Sequence, residues 1–231
     1  MKVSIIIPAY NEQAFIAAII GKVKAVVLPD NLSKEIIVVN DGSVDQTPQI
    51  LHMFAQDTMI KIFHQSNQGK AAALMTGLKN ATGDIFLIQD ADLEYDPGQY
   101  PCLLAPILAG KTDVVYGSRF LGNIRDMKFI NRLANQMSNW TLRLLWGAHI
   151  TDVNTCYKVF TRRSFEGITI TSQHFAFETE ITVKFLQKGM VIQEVPIDYT
   201  ARTTKAGKKI TWPTALEMYW PLIKYRFCRR K

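Results

Sequence analysis

The stretch "VSIIIPAYNEQAFIAAIIGKVKAVV", residues 3–27, changes period partway along. Val3 to Ala9 is a continuous apolar, β-branched run, the pattern of a strand buried on both faces. Further on, apolar residues recur at helical spacing: Phe15, Ile19, Val23, Val26 and Val27. The polar "PAYNE" lies between the two patterns. A buried strand, a polar turn and a helix form the repeating unit of a parallel α/β sheet.

The same unit recurs. "EIIVVND" (Glu35–Asp41) reads as a strand and "SVDQTPQILHMFAQ" as its helix. "IKIFHQ" is a third strand, followed by the helix "GKAAALMTGLKNA", which stops near Thr82 and Gly83. "DIFLIQD" is a fourth strand, "PGQYPCLLAPILAG" a helix started by Pro97, and "DVVYGSRF" a fifth strand. Short connections between them predict an α/β fold with a largely parallel sheet flanked by helices. Ligands of such sheets sit at the carboxyl ends of the strands. Those ends carry "PAYNE", "NDGS", "QSNQGK", "QDAD" and "GSRF", each of them polar or glycine-containing.

The second half is less regular. Residues 129–146 read as an amphipathic helix bearing Arg132 and Arg143. Thr151–Phe160 reads as a turn and strand, and "FAFETEITVKFLQKG" as a helix ending at Gly189. "MVIQEVPIDY" contains Pro196, which places it at a sheet edge or makes it irregular. The tail "WPTALEMYWPLIKYRFCRRK" is expected to be helical and interrupted by Pro221. Its Trp212, Leu216, Tyr219, Ile223 and Phe227 fall at near-helical spacing, flanked by Lys224, Arg226, Arg229, Arg230 and Lys231. That pattern suits a helix lying on anionic lipid, or one docked on the domain.

Length and composition narrow the classes. The chain has 231 residues, 48% of them hydrophobic, which suits one large domain or a domain with an appendage. No apolar run is long enough for a membrane-spanning helix, and the start lacks a signal-peptide pattern. Cys102, Cys156 and Cys228 have no metal-ligand spacing and suit free thiols in a reducing cytoplasm. Nor do the four histidines form a metal-like pattern. Residues 1–118 hold 8 Lys/Arg and 12 Asp/Glu, a net charge of −4, whereas residues 119–231 hold 19 and 8, a net charge of +11. Such asymmetry points to an anionic partner for the second half, with a solvated basic surface as the alternative. Nucleic acid, lipid headgroups and a phosphorylated substrate all qualify by charge. No nucleic-acid motif is present, so a basic nucleic-acid-binding protein is the weaker alternative.

The candidate chemistry centres on "IFLIQDADLEYDP", residues 85–97, where Asp90, Asp92, Glu94 and Asp96 crowd together. Strand-like alternation puts Asp90 and Asp92 on one side. Two such carboxylates suit Mg²⁺ or Mn²⁺, with substrate phosphates and water completing the shell. Asp96, directly before Pro97, is expected to cap a helix. Neither GxGxxG nor GxxxxGK[ST] occurs, which argues against a dinucleotide oxidoreductase or a P-loop enzyme. Arg119 of "GSRF" can clamp phosphate through two parallel hydrogen bonds. Asp152 of "TDVNTC" can serve as a general base, orient an acceptor, or cap the turn before "CYKVF". Arg202, Lys205, Lys208 and Lys209 form a basic loop around Gly207 that could close over phosphates. Of Glu178 and Glu180 in "FETEI", the helical spacing lets one reach the site while the other is structural.

"SIIIPAYNE", "VVNDGS", "NQGKAAALMTGLKNATGD", "QDADLEYDP" and "VVYGSRF" resemble the family 2 glycosyltransferases of the GT-A fold, which has a mixed, largely parallel sheet. "TDVNTCYKVF", "FETEI", "EVPIDYTART" and "GKKITW" resemble the dolichol-phosphate mannose synthase branch, the polyprenyl-phosphate glycosyltransferases. The resemblance covers most of residues 1–212, in order. It implies inverting transfer of a sugar from GDP-mannose or a UDP-hexose to dolichyl or undecaprenyl phosphate, on the cytoplasmic face of a membrane. A peripheral enzyme without nucleic-acid partners is expected. Residues 1–211 would form the GT-A domain, with a nucleotide-sugar half (1–118) and an acceptor half (119–211). Residues 212–231 would be a C-terminal amphipathic segment. By the same resemblance, Pro8, Ala9, Tyr10, Glu12 and Asp41 line the nucleoside pocket, with Lys70 and Asp90 nearby. Asp90 and Asp92 hold the divalent metal. Glu94 stands where the synthases commonly have Gln, so it either joins the metal shell or pairs with a nearby Lys or Arg. Asp92, Arg119, Asp152 and Arg202 carry the reaction, and Arg119, Arg132, Arg202 and Lys205 are candidates for the acceptor phosphate. A sugar hydroxyl is the alternative acceptor, and it would need a general base.

Overall fold

The apolar runs pair into one seven-stranded sheet. The computed structural model describes residues 1–172, 176–202 and 212–227, with side chains from 218 onward in the last segment. The first strands are β1 (Lys2–Ala9), β2 (Ser33–Asp41), β3 (Ile60–Gln65), β4 (Ile85–Ile88) and β5 (Val114–Ser118). Then come β6 (Ile124–Arg125), β7 (Lys158–Thr161), β8 (Ile192–Pro196) and β9 (Tyr199–Thr200). The large sheet runs β3-β2-β1-β4-β7-β5-β8, and β6 and β9 form a separate two-stranded ribbon. All pairs are parallel except those of β7, which is antiparallel to both β4 and β5. The sheet is therefore mixed, and the two sequence halves share it. β8 forms its edge, where Pro196, at the strand's end, is tolerated.

The helices are α1 (Ile16–Ala25), α2 (Thr47–His52), α3 (Lys70–Asn80), α4 (Tyr100–Leu108), α5 (Phe129–Trp146), α6 (Arg162–Phe165), α7 (Phe177–Gln187) and α8 (Trp212–Phe227). α1 and α2 start later than the periodicity predicts, because the polar residues before them bond to each other across the two loops. α3 packs on β1 and β2. It comes close enough at Gly77 that a Cβ there would lie 2.4 Å from an Ile6 methyl. Ile5, Ile6 and Ile7 are fully buried, each contributing about 1.5–3 kcal/mol. α5 ends at Gly147, whose φ of 66° satisfies the helix terminus in the left-handed conformation.

Two features depart from expectation. Pro221 does not interrupt the tail: α8 is assigned as one helix through it. The inner face of α8 docks, with Leu222 fully buried, Trp146 Nε1 donating to the Leu222 carbonyl at 2.9 Å, and Tyr219 OH donating to the Ala134 carbonyl at 2.8 Å. Trp220, Ile223 and Phe227 remain exposed on its other face. The second departure is Glu35 of β2, a buried carboxylate far from the candidate site. It accepts from Ser4 and from the Thr82 amide at 2.6 Å each, and pairs with Lys2 and Lys61 at 2.9 Å. Burial would raise its pKa, but these partners hold it well below the usual carboxylate range.

Candidate active site

The loops at the carboxyl ends of β1 and β2 are built as one piece. Asn11, at φ 51°, accepts the Val44 amide on its side chain, and its own amide donates to Ser43 Oγ, both at 2.9 Å. The Glu12 amide donates to Thr47 Oγ1 at 2.9 Å. Gly42 has φ 70°, and a Cβ there would lie 2.5 Å from the Asn67 amide, so only glycine fits. Pro8, Ala9 and Tyr10 close β1 at this edge, with Ala9 buried and the other two half-buried. Asp41 faces the next loop instead of open space. Its Oδ1 accepts from Gln65 and the Gln68 amide, and its Oδ2 accepts the Gly69 amide at 2.8 Å. Both oxygens thus organise the loop that leads into α3.

The four carboxylates after β4 have separate partners. Asp96 accepts the Gly98 amide and caps the short turn at Pro97, as its position predicts. Asp90 lies 2.8 Å from Lys70 Nζ, and the same ammonium lies 2.7 Å from Glu178 of α7. Burial would raise Asp90, but Lys70 outweighs it and holds the carboxyl below its ordinary range. Lys70 is therefore an internal bridge between α3, β4 and α7. Glu178 is the member of "FETEI" that reaches the site, while Glu180 holds Thr171, Ser172 and Tyr225.

Asp92 is almost fully buried. Its Oδ1 accepts the Glu94 amide at 2.9 Å, and its Oδ2 lies 2.6 Å from Arg202 Nη2. Arg202 also reaches Glu12 through both terminal nitrogens at 3.2 Å. Burial first, then the charges of Asp90 and Glu94, push Asp92 up to about 7 against the pull of Arg202. Among the described residues, the Glu94 side chain forms no ion pair with a Lys or Arg side chain. Its carboxylate accepts the backbone amide of Arg202 at 2.6 Å and Tyr199 OH at 2.7 Å. It anchors the segment that carries Arg202.

Arg119 and Asp152 form a closed pair. Asp152 is fully buried and accepts from Arg119 Nε and Nη2 at 2.7 Å and from its amide at 3.0 Å. The guanidinium lies 5.1 Å from the Tyr199 ring centre. Both Asp152 oxygens are taken up in holding Arg119, and the Arg119 side chain is buried with it. Arg132 is exposed on α5. Lys205, Lys208 and Lys209 lie outside the described residues.

Sequence reasoning missed Gln89 and Tyr199. Gln89 is fully buried, accepts from Tyr100 and Tyr157 at 2.8 and 2.9 Å, and donates to the Asp90 carbonyl at 3.0 Å, so it fixes the turn that aims Asp90. Tyr199, within the quoted "EVPIDYTART", carried a usable signal; Gln89, a polar residue ending an apolar strand, carried little.

Among the described residues, no three His, Cys, Asp or Glu side chains converge on a metal position. The set is smaller: two carboxylates one residue apart, one of them destabilised by its neighbours' charge. That chemistry fits a Mg²⁺ or Mn²⁺ ion whose remaining ligands are substrate oxygens and water.

A largely parallel sheet with acidic loops at its carboxyl ends and paired aspartates after β4 defines a GT-A fold. The chain belongs to Glycosyl transferase family 2, whose pattern matches residues 4–169. It is 28% identical over 207 residues to the low-salt glycan biosynthesis hexosyltransferase Agl6 of Haloferax volcanii, covering 88% of this chain and 49% of that protein. It is also 28% identical over 213 residues to a dolichol-phosphate mannosyltransferase of Pyrococcus furiosus, covering 90% and 59%. The chain thus spans about half of the length of these relatives. A glucosyl-3-phosphoglycerate synthase of Mycobacterium tuberculosis, solved with Mn²⁺, UDP and phosphoglyceric acid, superposes with a TM-score of 0.77. The identity is 19%, and 99% of this chain and 80% of that one are covered, so this likeness concerns the fold.

Proposed function

We propose that the chain transfers a sugar from a nucleoside-diphosphate donor, GDP-mannose or a UDP-hexose, to a polyprenyl phosphate at a membrane surface. The observation that carries the donor side is the set of carboxylates at the carboxyl ends of β1 and β4, where Glu12 and Asp92 share Arg202 and Asp90 is held by Lys70. Asp92 and Asp90 would hold Mg²⁺ or Mn²⁺. What the ion supplies when bound is charge neutralisation of the departing diphosphate. Pro8, Ala9 and Tyr10 would border the nucleoside, beside the loops that Asn11 and Asp41 brace. Lys70 keeps Asp90 ionised and in place.

An acceptor phosphate oxygen attacks the anomeric carbon, and the bond from that carbon to the diphosphate breaks with inversion. A phosphate is already anionic near neutral pH and needs no base. The engagement of both Asp152 oxygens with Arg119 favours this acceptor over a sugar hydroxyl. Arg202, beside Asp92, and the exposed Arg132 are the described candidates for the acceptor phosphate.

The lipid side is supported by α5. Phe129, Leu133, Met137, Trp140 and Leu144 are exposed at spacings of three and four, on one face of the helix, and Ile130 is exposed beside them. The helix has no acidic residue and carries Arg132 and Arg143. Trp220, Ile223 and Phe227 of the neighbouring α8 add exposed apolar surface. An apolar face with basic residues and no acidic ones suits an anionic membrane surface. Among the described residues, no helix is long and apolar enough to cross a membrane.

The test is transfer of radiolabelled sugar from each donor into a mild-acid-labile lipid fraction, with and without Mg²⁺ or Mn²⁺. Metal-dependent labelling is expected, with loss in Asp92→Ala on the order of a hundredfold or more. Label in an acid-stable product would instead indicate a hydroxyl acceptor. Full transfer by Asp92→Ala would sink the metal assignment.

A further inference from the structure

We propose that Arg202 is an exchangeable counter-ion of the donor site, competing with a divalent cation for Asp92. The inference rests on the donor reading above and concerns how that site is regulated. Both oxygens of Asp92 are engaged: Oδ1 by the Glu94 amide at 2.9 Å and Oδ2 by Arg202 Nη2 at 2.6 Å. A cation ligated by Oδ2 and the guanidinium cannot share that oxygen without crowding two positive charges together, so one must yield.

Arg202 is built to yield without leaving. Its backbone amide is fixed by Glu94 Oε1 at 2.6 Å, and the Thr200 amide by the Glu94 carbonyl at 3.2 Å. Letting go of Asp92 therefore requires only a side-chain rearrangement. The guanidinium is divided between two carboxylates, with its contacts to Glu12 stretched to 3.2 Å. Arg119 provides the contrast, because its guanidinium and its amide all bind one aspartate.

Charge points the same way. Of the described cations, Lys70 pairs with Asp90 and Glu178, and Arg202 pairs with Glu12 and Asp92. Asp90 and Glu94 crowd Asp92 with like charge, and a divalent ion would offset that charge more strongly than one guanidinium. Displaced from Asp92, Arg202 becomes a free phosphate-binding fork on an anchored backbone. Metal and donor diphosphate would then bind cooperatively, since the ion releases the group that the diphosphate engages.

The experiment measures Mn²⁺ affinity by electron paramagnetic resonance, with thermal unfolding in parallel. It uses the full chain as wild type, Arg202→Gln and Arg202→Lys, each with and without UDP or GDP. Without nucleotide, Arg202→Gln is expected to bind Mn²⁺ about fivefold or more tighter than wild type, with Arg202→Lys between them. Mn²⁺ should also raise the melting temperature of Arg202→Gln more than that of wild type. Should Arg202→Gln fail to fold, Arg202→Lys, which keeps the charge but not the fork, carries the same comparison. Variants that bind Mn²⁺ no tighter than wild type, while wild type still binds Mn²⁺ with nucleotide, would overturn the competition. Absence of Mn²⁺ binding to all three proteins under every condition would overturn the donor reading itself, and this inference with it.

Discussion

Among the described residues, a buried arginine–aspartate pair and a partly buried one use the same chemistry differently. Asp152 and Arg119 are matched one to one, with three hydrogen bonds and an aromatic ring beside the guanidinium. Asp92 and Arg202 are mismatched: the aspartate is crowded by other carboxylates and the arginine is shared with Glu12. A buried pair that satisfies itself fixes structure, because separating it strands a charge in a poor solvent. A pair held within surplus charge can be exchanged, because another cation relieves the same repulsion. Burial differs only modestly between the two pairs. The number of competing partners separates them.

The largest effect should come from breaking the matched pair. Asp152→Ala leaves Arg119 buried without its counter-charge and is expected to destabilise the fold by about 3–5 kcal/mol in denaturant unfolding. A loss no greater than that of a surface substitution would remove the distinction drawn here.

Lys158 sharpens the comparison as a buried lysine that has no carboxylate salt bridge among the described residues. Fully buried, it donates to the Val153 carbonyl at 2.9 Å and sits 3.7 Å from the Tyr116 ring centre. Burial pushes its pKa down to about 7. Between that value and the ordinary lysine pKa, the unfolded chain binds a proton that the folded chain does not. Stability should therefore rise with pH from about 7 upward, by at most about 1.4 kcal/mol per pH unit. Lys158→Met should flatten this dependence when both proteins are unfolded in denaturant at pH 7, 8 and 9. Parallel profiles would show that Lys158 stays charged in the fold.

The smallest effect concerns Glu94. Glutamine retains an acceptor for the Arg202 amide, so Glu94→Gln should change stability by about 1 kcal/mol or less. Its preference between Mg²⁺ and Mn²⁺ in the transfer assay should not change. An altered preference would put Glu94 among the metal's ligands.

Much of the fold was legible in the sequence because strands and helices announce themselves locally. The β-branched run of β1, the Asp96–Pro97 start and the Gly147 stop each follow from a few adjacent residues. The polar strand ends pointed to the candidate site for the same reason. What stayed hidden was pairing between distant segments. Asp92 meets Arg202 only because β9 returns beside the Glu94 loop, 110 residues along the chain. Lys70 was placed near the nucleoside pocket, but nothing local in the sequence showed that α7 brings Glu178 against it. Asp152 looked like a base because "TDVNTC" does not reveal that Arg119 lies against it. Periodicity carries burial, but it does not carry the identity of a partner.

The place of β7 has a consequence for how this chain can be made. The strand that fills the gap between β4 and β5 is translated some 40 residues after β5 ends. A nascent chain, or a fragment stopped at residue 118, would present β4 and β5 with bare edges, both apolar and both open to pairing with another molecule. The shift in charge near residue 119 looks like a place to cut, yet the sheet runs straight across it. Ribosomal pausing or proteolysis between residues 118 and 158 would favour aggregation over a stable half-protein.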